Sequence, residues 1–180
     1  AGLLLSELVV QVFLTPDGLA QTITGAIPLG LAGLAAALSF RVGFWNIGIE
    51  GQLLLGAIAA TVIAVGDVGP ESLRPWLMLL VAAMAGGAWI AVPLLLKLRL
   101  GVSEIVVSLL LANVAFLLLQ HLLFGPLRGP ASNFPVSPGF GPAEQLAQLG
   151  WGRVHAGVFV ALAAAVLAAG TFLLLLLHSV

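Results

Sequence analysis

The chain has no cysteine. That excludes disulfides and thiolate metal sites, and it fits a protein of the bacterial inner membrane. Charge is almost as scarce. Only 7% of the 180 residues are Asp, Glu, Lys or Arg, against roughly 25% in a soluble domain. So few charges cannot coat a water-facing surface of this size. No basic patch invites nucleic acid, and a net charge of −1 decides nothing about partners. The chain also lacks GxSxG, HExxH and a Walker A glycine loop. Its histidines, His121, His155 and His178, fall at expected span ends, with no carboxylate at metal-ligand spacing. Ser108 and His121 lie about 20 Å apart along one helix, too far to act as nucleophile and base. An enzyme is not expected.

What fills the chain instead is hydrocarbon: 61% hydrophobic residues and a mean hydropathy of +1.21. This is an integral membrane protein, an all-α polytopic bundle. It starts at Ala1 inside one apolar run and stops at Val180 after another, with no charged leader or cleavage site. A single transmembrane domain over 1–180, cut at both ends from a longer polypeptide, is expected. A complete small protein with a processed N-terminus is the alternative.

An apolar helix of about 20 residues crosses a bilayer. Leu3–Leu14 is too short and reads as the end of a helix. Thr15 then caps a new one, Pro16 takes its first position and Asp17 suits its positive end. That helix runs to about Phe40, with Pro28 as a kink. Further spans are expected over Ile47–Val65, Trp76–Leu96, Ser103 or Glu104 to Phe124, and His155–Leu177. Gly66–Pro75 reads as a loop and Lys97–Gly101 as a short basic loop. Residues 125–152 are rich in Pro, Gly and Ser and read as an extracytoplasmic loop, with a short interfacial helix over 144–149. The positive-inside rule puts Arg41, Lys97 and Arg99 toward the cytoplasm. Gly157, Ala161, Ala165 and Ala169 form a small-residue stripe, and Ala32/Ala36 and Ala82/Gly86 repeat the spacing; such stripes let helices approach closely.

The segment Phe40–Gln52, FRVGFWNIGIEGQ, breaks the hydrocarbon pattern. A carboxylate placed in lipid costs at least about 2.5–3.5 kcal/mol, so Glu50 should face protein or water. Asn46 and Glu50 are four apart and share a face of any helix covering both. Gly43, Gly48 and Gly51 weaken helix there and permit a broken or re-entrant helix near 41–52. Broken helices present free backbone groups to polar solutes. The competing reading is that Asn46 and Glu50 only hydrogen-bond neighbouring helices. A second polar series lies on a later span. Glu104, Ser108 and Ala112 share one face; Asn113 and Gln120 share another. Glu104 suits a helix N-terminus with Lys97 or Arg99 nearby, and Ser103 would cap the same end.

Pro28–Thr61, PLGLAGLAAALSFRVGFWNIGIEGQLLLGAIAAT, resembles the signature PLxLxGLAxALxFRxGxxNIGxEGQxxxGA of ABC-transporter permeases of the nucleoside and simple-sugar class. Lys97–Ala115, KLRLGVSEIVVSLLLANVA, resembles their KxxxGxNEVxxTxMLNxxA, and FGPLRGP at Phe124–Pro130 the start of their external loop. Ser103 stands where the family has Asn, and Leu111-Ala112-Asn113 where it has Met-Leu-Asn. The resemblance implies a homo- or heterodimeric membrane permease of an importer. Solute would come from an extracytoplasmic binding lipoprotein, and cytoplasmic ATPase subunits would drive transport. The chain itself would bind no cofactor, ATP being used by those partners. Asn46, Glu50, Gln52 and Asn113 would lie near the solute path. The family's ATPase-docking motif would follow the span ending near His178. Permeases for branched-chain amino acids share the architecture and are the first alternative; an ion-coupled secondary carrier is the alternative of a different class.

Overall fold

The computed structural model describes residues 6–7, 9–130, 133–152 and 154–177. Among the described residues, from Pro16 on, five α-helices follow one another: α1 (Pro16–Arg41), α2 (Ile49–Val65), α3 (Arg74–Leu100), α4 (Glu104–Phe124) and α5 (Gly157–Leu177). Among the described residues the only β feature is an isolated bridge, Gln148 with His155. Four helices, α1, α3, α4 and α5, are long and apolar enough to cross a membrane. The all-α, polytopic membrane architecture is therefore as expected.

The chain forms two compact units. In the first, α1 packs with α5. The start of α1 follows its sequence: Thr15 Oγ1 accepts from the Gly18 N–H at 3.1 Å and donates to the Gln11 carbonyl at 2.6 Å. A turn of π-helix, Val10–Leu14, precedes it; Leu3–Leu5 and Leu8 of the expected helix end lie outside the described residues. Pro28 sits inside α1, which stays helical to Arg41. Ala161, Ala165 and Ala169 of the small-residue stripe line shallow apolar clefts against α1, beside Gly30, Leu34 and Ala37. The Arg41 guanidinium lies 5.6 Å from the Phe172 ring centre. Ahead of α5, His155 Nδ1 accepts from the Gly157 N–H at 3.1 Å. The short helix expected over 144–149 does not form. A single 3₁₀ turn, Pro142–Glu144, ends at extended Gln145, and Gln148 pairs with His155 instead. His178 lies outside the described residues.

The second unit, Val42–Gln145, holds α2, α3 and α4. α2 and α3 run antiparallel in close approach. A β-carbon on Gly56 would lie 3.2 Å from the Ala82 carbonyl oxygen, and one on Gly86 would lie 3.2 Å from that of Gln52. The expected basic loop at Lys97–Gly101 is mostly helix. α3 continues through Lys97 and Arg99 to Leu100, because cations in a last turn complement the helix dipole. Gly101, at φ 65°, ends it. Ser103 stands at the N-cap of α4 but its hydroxyl makes no capping bond.

At the other end of this unit, buried Arg74 gathers the loops. Its Nη1 donates to Asp67 at 2.8 Å and to Glu144 at 2.5 Å. Its side chain is 8% exposed and that of Glu144 is 7% exposed. The pair ties the long loop after α4 to the start of α3. Beside it lies a cavity of about 410 Å³, lined by Asp67, Glu71, Phe140 and the same ion pair.

Candidate functional site

α1 stops at Arg41, and Gly43 at φ 74° takes the left-handed conformation that only glycine adopts cheaply. From Phe44 to Gly48 the backbone is not helical. Burial alternates along it: Phe44, Asn46 and Gly48 are buried, Trp45 and Ile47 exposed. That period of two marks extended chain.

Extended backbone in a membrane protein needs partners for each polar group. Side chains of α3 and α4 supply three of them, and the Asn46 N–H donates to the Phe44 carbonyl at 3.0 Å. Lys97 Nζ donates to the Gly43 carbonyl at 2.9 Å. The Trp45 N–H donates to Glu104 Oε1 at 3.3 Å, and the Ile47 N–H to Ser108 Oγ at 3.3 Å. Ser108 passes its own proton to the Ile105 carbonyl at 3.2 Å. Lys97 and Glu104 form an ion pair, as the sequence suggested, and the ammonium sits 5.5 Å from the Phe44 ring centre. Within the segment, Asn46 Oδ1 accepts from the Gly48 N–H at 3.1 Å.

The same α4 face receives the glycines. A β-carbon on Gly48 would lie 2.5 Å from the Ser108 carbonyl oxygen, and one on Gly51 would lie 2.8 Å from Ala112 Cα. Glu104, Ser108 and Ala112, which the sequence puts on one face, thus form a track for residues 45–51. The order also fixes depth. α2 begins abreast of Ser108, one turn or about 6 Å inside the start of α4. With 17 residues α2 spans about 25 Å, and α4 with 21 about 31 Å. The extended segment stands in for the missing first turns of α2. The break covers 42–48, and Gly51 lies inside the first turn of α2 rather than in the break.

Asn46 is 2% exposed. Its Oδ1 takes a second bond, from Gln52 Nε2 at 3.1 Å. Its Nδ2 is buried and has no partner. The structure therefore joins Asn46 with Gln52. It does not join Asn46 with Glu50: the two do not share a helix face, because Asn46 precedes the helix. Glu50 is exposed, in the first turn of α2, where the helix dipole favours a carboxylate. Asn113 is exposed and donates to the Leu109 carbonyl of its own helix at 3.0 Å. Gln120 and His121 are exposed near the far end of α4.

Two α3 residues at the site were missed in the sequence. Trp89 Nε1 is buried without a partner, and it would stand 3.3 Å from a β-carbon on Gly51. Pro93 is fully buried. Their signals were an indole deep in a span, away from the interface that tryptophan prefers, and a proline inside an apolar run.

The site thus offers a buried amide donor, a second buried donor and an exposed carboxylate around a helix start.

A family model described as "Branched-chain amino acid transport system / permease component" matches residues 18–180. The chain is 42% identical over 168 residues to the glucose ABC transporter permease protein of Haloferax volcanii, covering 87% of this chain and 44% of that protein. It is 34% identical over 156 residues to the guanosine ABC transporter permease protein of Bacillus subtilis, covering 82% and 43%. Over 92 residues it is 30% identical to the nucleoside ABC transporter permease protein of Lactococcus lactis, covering 51% and 25%. It therefore spans less than half the length of these relatives. No solved structure matched the chain. With its matched region running from the first turn of α1 through α5, the chain belongs to the family of permease components of branched-chain amino acid transport systems.

Proposed function

We propose that the chain forms part of the membrane-spanning permease of an ATP-driven importer for a nucleoside or simple sugar. Arg41, Lys97 and Arg99 face the cytoplasm, where ATPase subunits dock. The loop over 125–152 faces outward, where a binding lipoprotein delivers solute. A second permease subunit, identical or related, completes the path. The names of the three relatives support the ATP-driven class over an ion-coupled carrier.

The observation that carries the site is the unpartnered Nδ2 of buried Asn46. A buried donor left unpaired costs about 1–3 kcal/mol. A solute hydroxyl or carbonyl oxygen offsets that cost while bound. Glu50, too costly to face lipid, lines the same wet path or the second subunit and accepts from solute hydroxyls. The Gly43–Gly51 stretch lets the α2 start yield as the permease halves rock.

The test is uptake by the full-length transporter carrying Asn46→Ala or Glu50→Gln, with labelled guanosine, glucose and leucine. Loss of guanosine or glucose uptake in folded protein supports the reading. Unchanged uptake and ATPase coupling in both variants sink the site assignment. Leucine uptake alone would move the transporter to the branched-chain amino acid class that the family description names.

A further inference from the structure

We propose that Trp89 is a second solute-recognising residue of this permease, and that it reads a hydroxyl group. The inference rests on the solute path proposed above. α2 and α3 are in register through Gly56 with Ala82, Gln52 with Gly86, and Gly51 with Trp89. Trp89 is therefore level with the first turn of α2. Asn46 is bonded to that turn through Gln52, so two buried donors without partners, Asn46 Nδ2 and Trp89 Nε1, flank one helix start.

Pro93 adds an acceptor. It sits four residues after Trp89 inside α3. Having no N–H, it cannot make the helical bond to the Trp89 carbonyl. Trp89 thus carries an unpartnered donor on its side chain and a carbonyl lacking its helical donor. The indole N–H needs an acceptor and the carbonyl a donor; a hydroxylated solute offers both kinds of group, whereas a carboxylate is acceptor only. Packing alone does not call for tryptophan here, because phenylalanine offers a similar apolar ring without the stranded N–H. In this conformation Gly51 covers the indole nitrogen. A shift of the α2 start uncovers it, and the missing β-carbon at Gly51 lets that start slide past the indole.

The test is Trp89→Phe in the complete transporter, reconstituted in proteoliposomes. Uptake of labelled guanosine and glucose is compared with that of their deoxy analogues. The KM for the parent solute should rise about five- to tenfold, the loss of one neutral hydrogen bond, with kcat little changed and the melting temperature not lowered. The analogue lacking the hydroxyl that is read should lose its disadvantage in the variant. An unchanged KM in Trp89→Phe, with a raised KM in Asn46→Ala, overturns this inference and leaves the path intact. Unchanged KM in both overturns the path as well. A lower melting temperature and lower kcat at constant KM assign Trp89 to packing and also overturn the inference.

Discussion

Gly48 lies so close to Ser108 that a β-carbon on it would stand 2.5 Å from the Ser108 carbonyl oxygen and 2.9 Å from its carbonyl carbon. The obstacle is helical backbone, which cannot step aside. Gly48→Ala must push α2 off α4, and overpacking of this kind costs about 1–3 kcal/mol. The variant should melt lower in detergent than wild type. Gly25→Ala, where a β-carbon meets nothing within 4 Å, is the matched control and should not.

Gly43 is constrained by its dihedral rather than by its neighbours. At φ 74° with open space around it, alanine pays only the left-handed backbone penalty, about 1–2 kcal/mol. Gly43→Asn, which tolerates that conformation better, should recover part of the loss. Thermal melts of the two variants check this.

Ser108→Ala removes one acceptor from the Ile47 N–H and leaves the packing unchanged. The bond is part-buried, so its loss costs about 0.5–1.5 kcal/mol. The expected outcome is faster amide hydrogen exchange at residues 45–48 with α4 still protected. Slow exchange at 45–48 in the variant would mean that the track does not hold the segment.

Arg74 and Glu144 are both more than nine-tenths buried and hold the long loop to α3. Glu144→Leu leaves the buried guanidinium with the exposed Asp67 as its one carboxylate partner, so the cost should fall below the about 3–5 kcal/mol of a fully broken buried pair. Arg74→Met with Glu144→Leu should recover much of that, since no buried charge then lacks its buried partner. Melting temperatures of the two singles and the double form the cycle.

Much of this was legible in the chain. Thr15-Pro16-Asp17 starts a helix through local chemistry, and the structure follows it. The shared face of Glu104, Ser108 and Ala112 could be read from 3.6-residue periodicity, as could the Lys97–Glu104 pairing from proximity to one helix end. What the face packs against could not be read, because it depends on backbone N–H groups 59 and 61 residues away. The Asn46–Glu50 face failed for a related reason. An i, i+4 rule presumes helix, and here tertiary hydrogen bonds from α4 to the Trp45 and Ile47 N–H groups hold the chain out of helix. Lys97–Leu100 was read as loop because its charges suggested water, although cations are at home in a last helical turn. Trp89 was overlooked although an indole deep in a span was a signal; which α2 residue it meets depends on tertiary packing.

The central claim is that the free amide of Asn46 meets the solute, and Asn46→Asp tests it most directly. Aspartate keeps the oxygen that Gly48 and Gln52 use; when ionised it puts a charged acceptor where the unpartnered donor was, at a site only 2% exposed. In the complete transporter, the KM for guanosine or glucose should rise by about tenfold, the upper range for one neutral hydrogen bond. A folded Asn46→Asp transporter with wild-type KM and kcat would contradict the account.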